Sequence, residues 1–208
     1  MDKDAAYAGS NMSWRSQSTG SYGGSPQPLN LTGFSQNTVP QPFDPHYFFT
    51  DQYDTEYYDL WAWPDALGTG SASIVQTYKI PVSGVYPLDI PQPGIAKTIS
   101  ANDSRSHGFE YRNGYVWTSN IAKVTYWPWN RVRFIRIDLT QPDFPIVQNG
   151  FGNYELLTIF NPDLAVDHCD NLAVGFNVGY SEFYPRIEIS GAPDGWGNDL
   201  LQQPIIIY

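Results

Sequence analysis

The run from Asp163 to Asp170, with the sequence DLAVDHCD, is the densest group of side chains able to do chemistry. It brings together carboxylate, imidazole and thiol groups, which serve metal sites and cysteine nucleophiles. Neighbours on a strand point to opposite faces, however, and zinc sites use spaced rather than contiguous ligands. The run therefore favours a polar loop with one half-buried thiol, Cys169, and leaves a metal or catalytic site as the alternative.

Acidic residues form a second candidate group, made up of Asp51, Asp54, Glu56 and Asp59. Ca²⁺ accepts about six to eight oxygen ligands, but the spacing lacks the alternating acids, central glycine and terminal glutamate of an EF-hand loop. A solvated acidic surface, or one that faces basic residues of a partner, is favoured. Calcium binding stays open.

Four glutamates lie on or next to predicted strands, and any two could form the carboxyl pair of a glycoside hydrolase: Glu110, Glu155, Glu182 and Glu188. Such a pair must be about 5 to 9.5 Å apart, a distance that the sequence does not fix. Scattered carboxylates are expected in an acidic chain, so this function ranks last.

A cluster of arginines lies beside two tryptophans. Three of the 11 Lys and Arg residues fall within six positions, at Arg131, Arg133 and Arg136. With Trp127 and Trp129 they could form a cation–π patch that binds a glycan or an acidic neighbour. The alternative is a set of salt bridges that balances Asp138.

The elements that must position these groups are strands. Gly (18 residues) and Pro (17 residues) are scattered along the chain and disfavour long helices. Asn113-Gly114 predicts a type I′ hairpin turn, and the shifted apolar phase within residues 131–139 predicts a β-bulge near Phe134. We predict an all-β fold, a single β-sandwich or jelly-roll-like body over residues 71–208. Its predicted strands are Ser73–Ile80, Gly94–Ser100, His107–Arg112, Tyr115–Ser119, Ile121–Trp127, Arg131–Thr140, Phe144–Val147, Glu155–Phe160, Leu172–Val178, Arg186–Ser190 and Pro204–Tyr208.

Two segments precede this body. Residues 1–46 are rich in Gly, Ser, Pro, Gln and Asn, which predicts a long extended arm that lies across neighbouring subunits. Residues 47–70 are dense in aromatics and acids, which predicts an amphipathic clasp with a short helix from about Thr50 to Trp61. The predicted partner-binding residues are Trp14, Tyr57, Tyr58, Trp61, Trp63, Trp127, Trp129, Arg131 and Arg133.

Net charge and cysteine content exclude several classes of protein. The formal net charge of -10 repels polyanions, so direct nucleic-acid binding is not expected, nor is contact with an anionic membrane. A single cysteine excludes a disulfide scaffold and a zinc site held by several thiolates. No cofactor is predicted.

The arm of residues 1–46, the strand-and-turn body of residues 71–208 and the Pro-Ile-Ile-Ile-Tyr ending resemble minor capsid or capsid-associated structural proteins of viruses and phages. The resemblance implies a jelly-roll-type fold, a location in the virion and a non-enzymatic role in binding other capsid proteins in a multi-subunit assembly. The alternative is a β-sandwich module that binds carbohydrate or a receptor through Tyr and Trp, with the arm as a linker.

Overall fold

The fold is all-β, as predicted. The computed structural model describes residues 25–30, 46–51, 57–63, 75–81, 87–101, 105–106, 108–123, 128–141, 143–152, 158–193, 201 and 205–207. Within these ranges, no helix is long and apolar enough to cross a membrane. The described strands are β1 (Ser25–Asn30), β2 (His46–Asp51), β3 (Tyr57–Trp63), β4 (Val75–Pro81), β5 (Ile90–Gln92), β6 (Ile95–Ile99), β7 (Phe109–Arg112), β8 (Tyr115–Lys123), β9 (Asn130–Asp138), β10 (Ile146–Phe151), β11 (Thr158–Val166), β12 (Leu172–Tyr180), β13 (Phe183–Ala192) and β14 (Ile205–Ile207).

The larger sheet has the strand order β10-β9-β8-β7-β1-β2-β3-β4. Most neighbours in it follow one another along the chain and pair antiparallel. The exception is a short parallel pairing of β1 with β7, through Leu29 with Phe109 and Asn30 with Glu110. The predicted hairpin turn between β7 and β8 is confirmed, since Asn113 and Gly114 both have positive φ, at 51° and 88°.

The smaller sheet has the order β11-β12-β13-β14, and β5 pairs with β6 in a separate hairpin. Strand β12 shows why a sandwich forms. Its side chains alternate between buried and half-buried over most of its length, as expected for a strand with one face against a core.

The main core lies between β8 and β9 of the larger sheet and the inner face of the smaller sheet. Trp117, Val132 and Phe134 pack there against β11 and β12 side chains. A second cluster joins Ile90 of β5 and Ile121 of β8 to Phe160 of β11. Two facing sheets with an apolar interior make this a β-sandwich.

The predicted β-bulge near Phe134 of β9 is wrong. Its register with β8 is unbroken from Asn130 to Asp138, and the irregularity in its pairing with β10 lies on β10, between Ile146 and Gln148. The apolar phase changes for another reason: Ile135 and Ile137 are as fully buried as Phe134. Both faces of β9 are buried, so both can carry apolar residues.

The predicted helix from Thr50 to Trp61 is wrong. Thr50 belongs to β2 and Trp61 to β3, and these strands pair antiparallel. Aromatic residues favour strands, and here they supply the pairing positions. The pairing also crosses the predicted boundaries, because β1 lies within the arm of residues 1–46, β3 within the clasp of residues 47–70, and β4 within the body, all in one sheet.

Candidate functional site

An aromatic row lies at one end of the sandwich. The rings of Trp129 and Tyr180 meet edge to face with centroids 5.3 Å apart, and the rings of Tyr180 and Phe183 are tilted at 6.1 Å. Tyr180 ends β12 and Phe183 begins β13, so the tight turn between these paired strands brings their rings together. Trp129 immediately precedes β9. All three are half-buried, which leaves part of each ring for a ligand or partner.

An ion pair extends the aromatic row along β13. The Arg186 guanidinium lies 4.6 Å from the centre of the Phe183 ring, and its Nη2 is 2.7 Å from Glu188 Oε1. Arg186 Nε donates to the same oxygen at 2.8 Å. Glu188 is only 1% exposed, so this contact compensates a buried carboxylate. The charge on β13 is therefore neutralised locally.

A patch of exposed isoleucines lies on the outer face of β13 and β14. Ile205 is 69% exposed, Ile187 53% and Ile207 47%. Ile187 pairs with Ile207 and Ile189 with Ile205, so these four occupy one face of the sheet. We call this set, together with Ile206, the isoleucine edge. Among the described strands, none pairs with the outer side of β14.

Among the described residues, the predicted surface patch of arginines does not form. Arg131 and Arg133 are 4% and 0% exposed, and they lie on the face of β9 opposite Arg136. Arg133 Nε donates to Asn120 Oδ1 at 3.0 Å inside the protein. Because both guanidiniums are buried, neither is on the surface of the chain where a partner would bind.

Arg136 makes the cation–π contacts, but with other rings than those predicted. Its guanidinium lies 3.9 Å from the centre of the Tyr115 ring and 4.7 Å from that of Trp117. Its Nη2 is 3.7 Å from Asp170 Oδ2, which ties the β11–β12 turn to the larger sheet. Asp138 accepts hydrogen bonds from Thr140 and Gln141, and the charge of Arg136 also helps to lower its pKa.

The run from Asp163 to Asp170 spans the end of β11 and the following turn. Asp167 Oδ1 accepts from the backbone amides of Cys169 and Asn171 at 2.8 and 2.9 Å, and Oδ2 accepts from Asn171 Nδ2 at 2.9 Å. The Asn171 side chain is the main reason that the pKa of Asp167 is lowered, and the two backbone amides add to it. The carboxylate therefore holds the turn.

Cys169 is exposed rather than half-buried as predicted. One ligand atom from each of Asp167, His168 and Cys169 lies within 4.8 Å of the others. These atoms could contact one ion, but all three side chains are exposed and the carboxylate already accepts three hydrogen bonds. The hydrogen bonds of Asp167 are enough to explain the shape of this turn.

The acidic residues do not converge in the described part of the chain. Asp59 pairs with Thr50, and Asp51 pairs with Tyr58, which puts Asp51 and Asp59 at positions on opposite faces of the sheet. Asp54 and Glu56 lie outside the described residues.

The three described glutamates lie on different elements. Glu110 lies on β7 of the larger sheet, while Glu188 lies on β13 of the smaller one and is held by Arg186. Glu182 is exposed in the β12–β13 turn, and Glu155 lies outside the described residues.

The other predicted anchors divide into three groups. Trp129 lies in the aromatic row, and Trp61 is half-buried on β3. Tyr57, Tyr58 and Trp63 are placed on β3 by the backbone. Trp14 and Trp127 lie outside the described residues. The aromatic row and the isoleucine edge were missed, although aromatic residues on both sides of a two-residue turn and an all-isoleucine strand were visible signals.

The comparisons with known proteins identify no family. No family model matches the chain, and no curated protein matches it. Among solved structures, it is similar to the crystal structure of an α-L-arabinofuranosidase from Lactobacillus brevis, with 11% sequence identity and a TM-score of 0.40. The match covers 80% of this chain and 50% of that one, so the chain spans about half the length of the enzyme. At this TM-score the likeness carries no argument about function.

Proposed function

We propose that this protein is a non-enzymatic structural component of a virus particle, which binds neighbouring capsid subunits. The observation that carries the proposal is the isoleucine edge. Ile187, Ile205 and Ile207 lie next to one another on one face, and each is about half exposed or more. Contiguous exposed apolar side chains mark interaction sites, and a protein partner is one of the surfaces that covers them.

The location in a particle rests on the resemblance of the arm, body and ending to capsid-associated proteins. It is tested by quantitative mass spectrometry of particles purified from the native source after a high-salt wash. We expect the chain at a fixed ratio to the major coat protein. Absence of the chain from washed particles would overturn the proposal.

The predicted clasp gives a second test of assembly. Replacing Trp61 and Trp63 by Ala removes large ring surfaces from β3, and aromatic residues dominate binding energy in interfaces. We expect the double variant to be incorporated several-fold less than wild type, while Ile95→Ala, an exposed residue on the separate β5–β6 hairpin, is incorporated normally. Equal incorporation of all three proteins would exclude the clasp from the interface.

The aromatic row favours a second candidate function, binding of carbohydrate or of a glycosylated receptor. Half-exposed Trp129, Tyr180 and Phe183 offer ring faces on which sugars stack, and Arg186 supplies hydrogen-bond donors beside them. Affinity electrophoresis against immobilised polysaccharides tests this function. Retardation that is lost in Trp129→Ala and kept in Tyr184→Ala, a more exposed tyrosine next to the row, would favour it; no retardation on any polysaccharide would exclude the row as a polysaccharide site.

A further inference from the structure

We infer that β14 pairs with β14 of a second copy of this chain, in antiparallel orientation across a two-fold axis at Ile206. This inference rests on the proposed assembly function and names one of its partners. Strand β14 ends the smaller sheet, and no described strand occupies its outer side. Its three residues are all isoleucine, a residue that favours strands.

The isoleucine edge lacks the features by which proteins protect exposed strand edges. Such edges usually carry lysine, proline, a bulge or an inward-pointing charge. Strand β14 has none of these residues, and its register with β13 is unbroken from Ile205 to Ile207. An edge without protection is suited to receive another strand.

The local charge favours a second copy as the occupant. The chain as a whole carries a net charge of -10, and a basic partner would be drawn to acidic groups. Within β13 and β14 as the structure describes them, the charged residues are Arg186 and Glu188, and these neutralise each other at 2.7 Å. A neutral apolar edge matches another copy of itself, because neither copy brings an unpaired charge from β13 or β14 into the contact.

Two-fold symmetry makes the edge self-complementary. In this pairing Ile206 of one copy lies opposite Ile206 of the other. Ile205 of each copy then lies opposite Ile207 of the other. Directly opposite residues share a face, so the exposed Ile187, Ile205 and Ile207 of both copies would form one continuous apolar surface on an eight-stranded sheet. Ile206 is 37% exposed and lies on the same face as Glu188. In the dimer it would be covered by Ile206 of the second copy.

The extent of the edge sets the expected affinity. A standard interface buries roughly 800 Å² on each partner, and a pairing of three residues contributes only part of that. We therefore expect a weak dimer that forms as concentration rises, and one that many copies in a particle would reinforce.

Sedimentation velocity of the full chain over a wide concentration range tests the inference. We expect wild type to shift from monomer to dimer, and Ile205→Lys to raise the dimer dissociation constant at least about tenfold, because lysine at an edge opposes strand addition. Ile95→Lys makes the same charge change at an exposed strand position on the β5–β6 hairpin and should dimerise like wild type. Wild type that stays monomeric throughout would overturn the inference.

Cysteine cross-linking tests the register. Opposite residues in an antiparallel pair have Cα atoms about 4.5 to 5.5 Å apart, within the range a disulfide spans. In a Cys169→Ser background, oxidised Ile206→Cys should therefore form covalent dimers. Ile205→Cys alone should not form covalent dimers. In this pairing the two copies of position 205 are offset by two residues along the strand, so their Cα atoms are about 8 Å apart. Cross-linking at position 205 but not at 206 would overturn the two-fold pairing.

These tests separate the inference from the function on which it rests. Circular dichroism of each variant confirms that it is folded, so that a lost dimer reports on the edge. A chain that dimerises through β14 but is absent from particles would overturn the assembly function alone. A chain found in particles that remains monomeric in solution, and does not cross-link at position 206, would overturn the inference alone.

Discussion

Arg133 is the clearest case in which residue type and residue role differ. In the sequence its guanidinium is a candidate for partner binding, but the side chain is 0% exposed and donates from Nε to Asn120 Oδ1 at 3.0 Å. Asn120 lies directly opposite on β8 and is itself fully buried. A buried charge must be compensated within the protein, and the Asn120 side chain supplies one acceptor for this guanidinium.

Replacing Asn120 by Ala should lower the free energy of unfolding by about 1 to 3 kcal/mol, because the buried guanidinium loses an acceptor. Urea unfolding measures this loss. Asn177→Ala, at a half-buried position on β12, is the control and should stay within about 0.5 kcal/mol of wild type. If both variants unfold alike, Asn120 does not compensate the charge.

Asp138 links stability to pH. The Thr140 hydroxyl, at 2.6 Å from Oδ1, is the main reason that the pKa of Asp138 lies below its ordinary value; burial opposes the shift, and the Thr140 amide, Gln141 and Arg136 add to it. The folded protein therefore favours the carboxylate more than the unfolded chain does. This stability is fully present above the unfolded pKa, near 3.8, and is lost as the pH falls through the lower folded value.

Asp138→Asn should cost about 1 to 2 kcal/mol at pH 7, and the difference from wild type should shrink as the pH falls below about 4. The measurement is urea unfolding of both proteins from pH 7 to pH 2.5. Asp143→Asn, an exposed change in the same loop, should show no such pH dependence. A penalty for Asp138→Asn that is equal at all pH values would show that its ionised form is not what stabilises the turn.

At the scale of elements, the β5–β6 hairpin packs closely against β12. A Cβ on Gly179 of β12 would come within 2.5 Å of Ile90 Cγ2. Ile90 is fully buried with Ile121 and Phe160. A side chain on Gly179 would therefore push β5 away from β12.

Gly179→Ala should destabilise the protein by about 1 to 3 kcal/mol through overpacking. In an Ile90→Ala background the added methyl has room, so the same change should cost much less there. Thermal unfolding of the two single variants and the double variant gives the coupling energy. Additive effects would mean that β5 can move away from β12 without cost.

The strands that could be predicted from the sequence are those with local signals. The Asn113-Gly114 turn and the alternation in β12 depend only on nearby residues, and both were found. The helix from Thr50 to Trp61 is wrong because its signal, an N-cap followed by acids in the first turn, is local, whereas the pairing of β2 with β3 is not. The bulge at Phe134 was wrong because the burial of both faces of β9 depends on distant parts of the chain.

The site was less predictable than the fold for the same reason. Trp129 could be proposed from its type, but its contact with Tyr180 joins residues 51 positions apart. The isoleucine edge depends on which strand ends a sheet, and that is set by the pairing of β11 to β14 as a whole.

At the scale of the whole molecule, β1 connects the predicted arm to the rest of the protein. It pairs with β2 from Ser25 to Pro28 and with β7 only at Leu29 and Asn30. Prolines cannot donate to a ladder and are disfavoured inside sheets. Pro26 and Pro28 both precede the pairing with β7, so neither lies where β7 needs a donor.

The position of β1 in its own chain's sheet predicts how the arm behaves in the isolated protein. If residues 25–30 pair with β2 and β7 of the same chain, their amides should exchange with deuterium slowly in the purified full chain, at rates near those of residues 46–51. An arm that is ordered only by neighbouring subunits would exchange as fast as an unstructured peptide until particles form. Hydrogen exchange read by mass spectrometry, on the isolated chain and on particles, distinguishes these outcomes.

A variant of β1 tests the same pairing. Gln27 carries the only amide hydrogen between Ser25 and Leu29, so Gln27→Pro removes the one donor of that stretch. Exchange across residues 46–51 should become faster if β1 protects β2, and should stay unchanged if β1 docks only in the assembly.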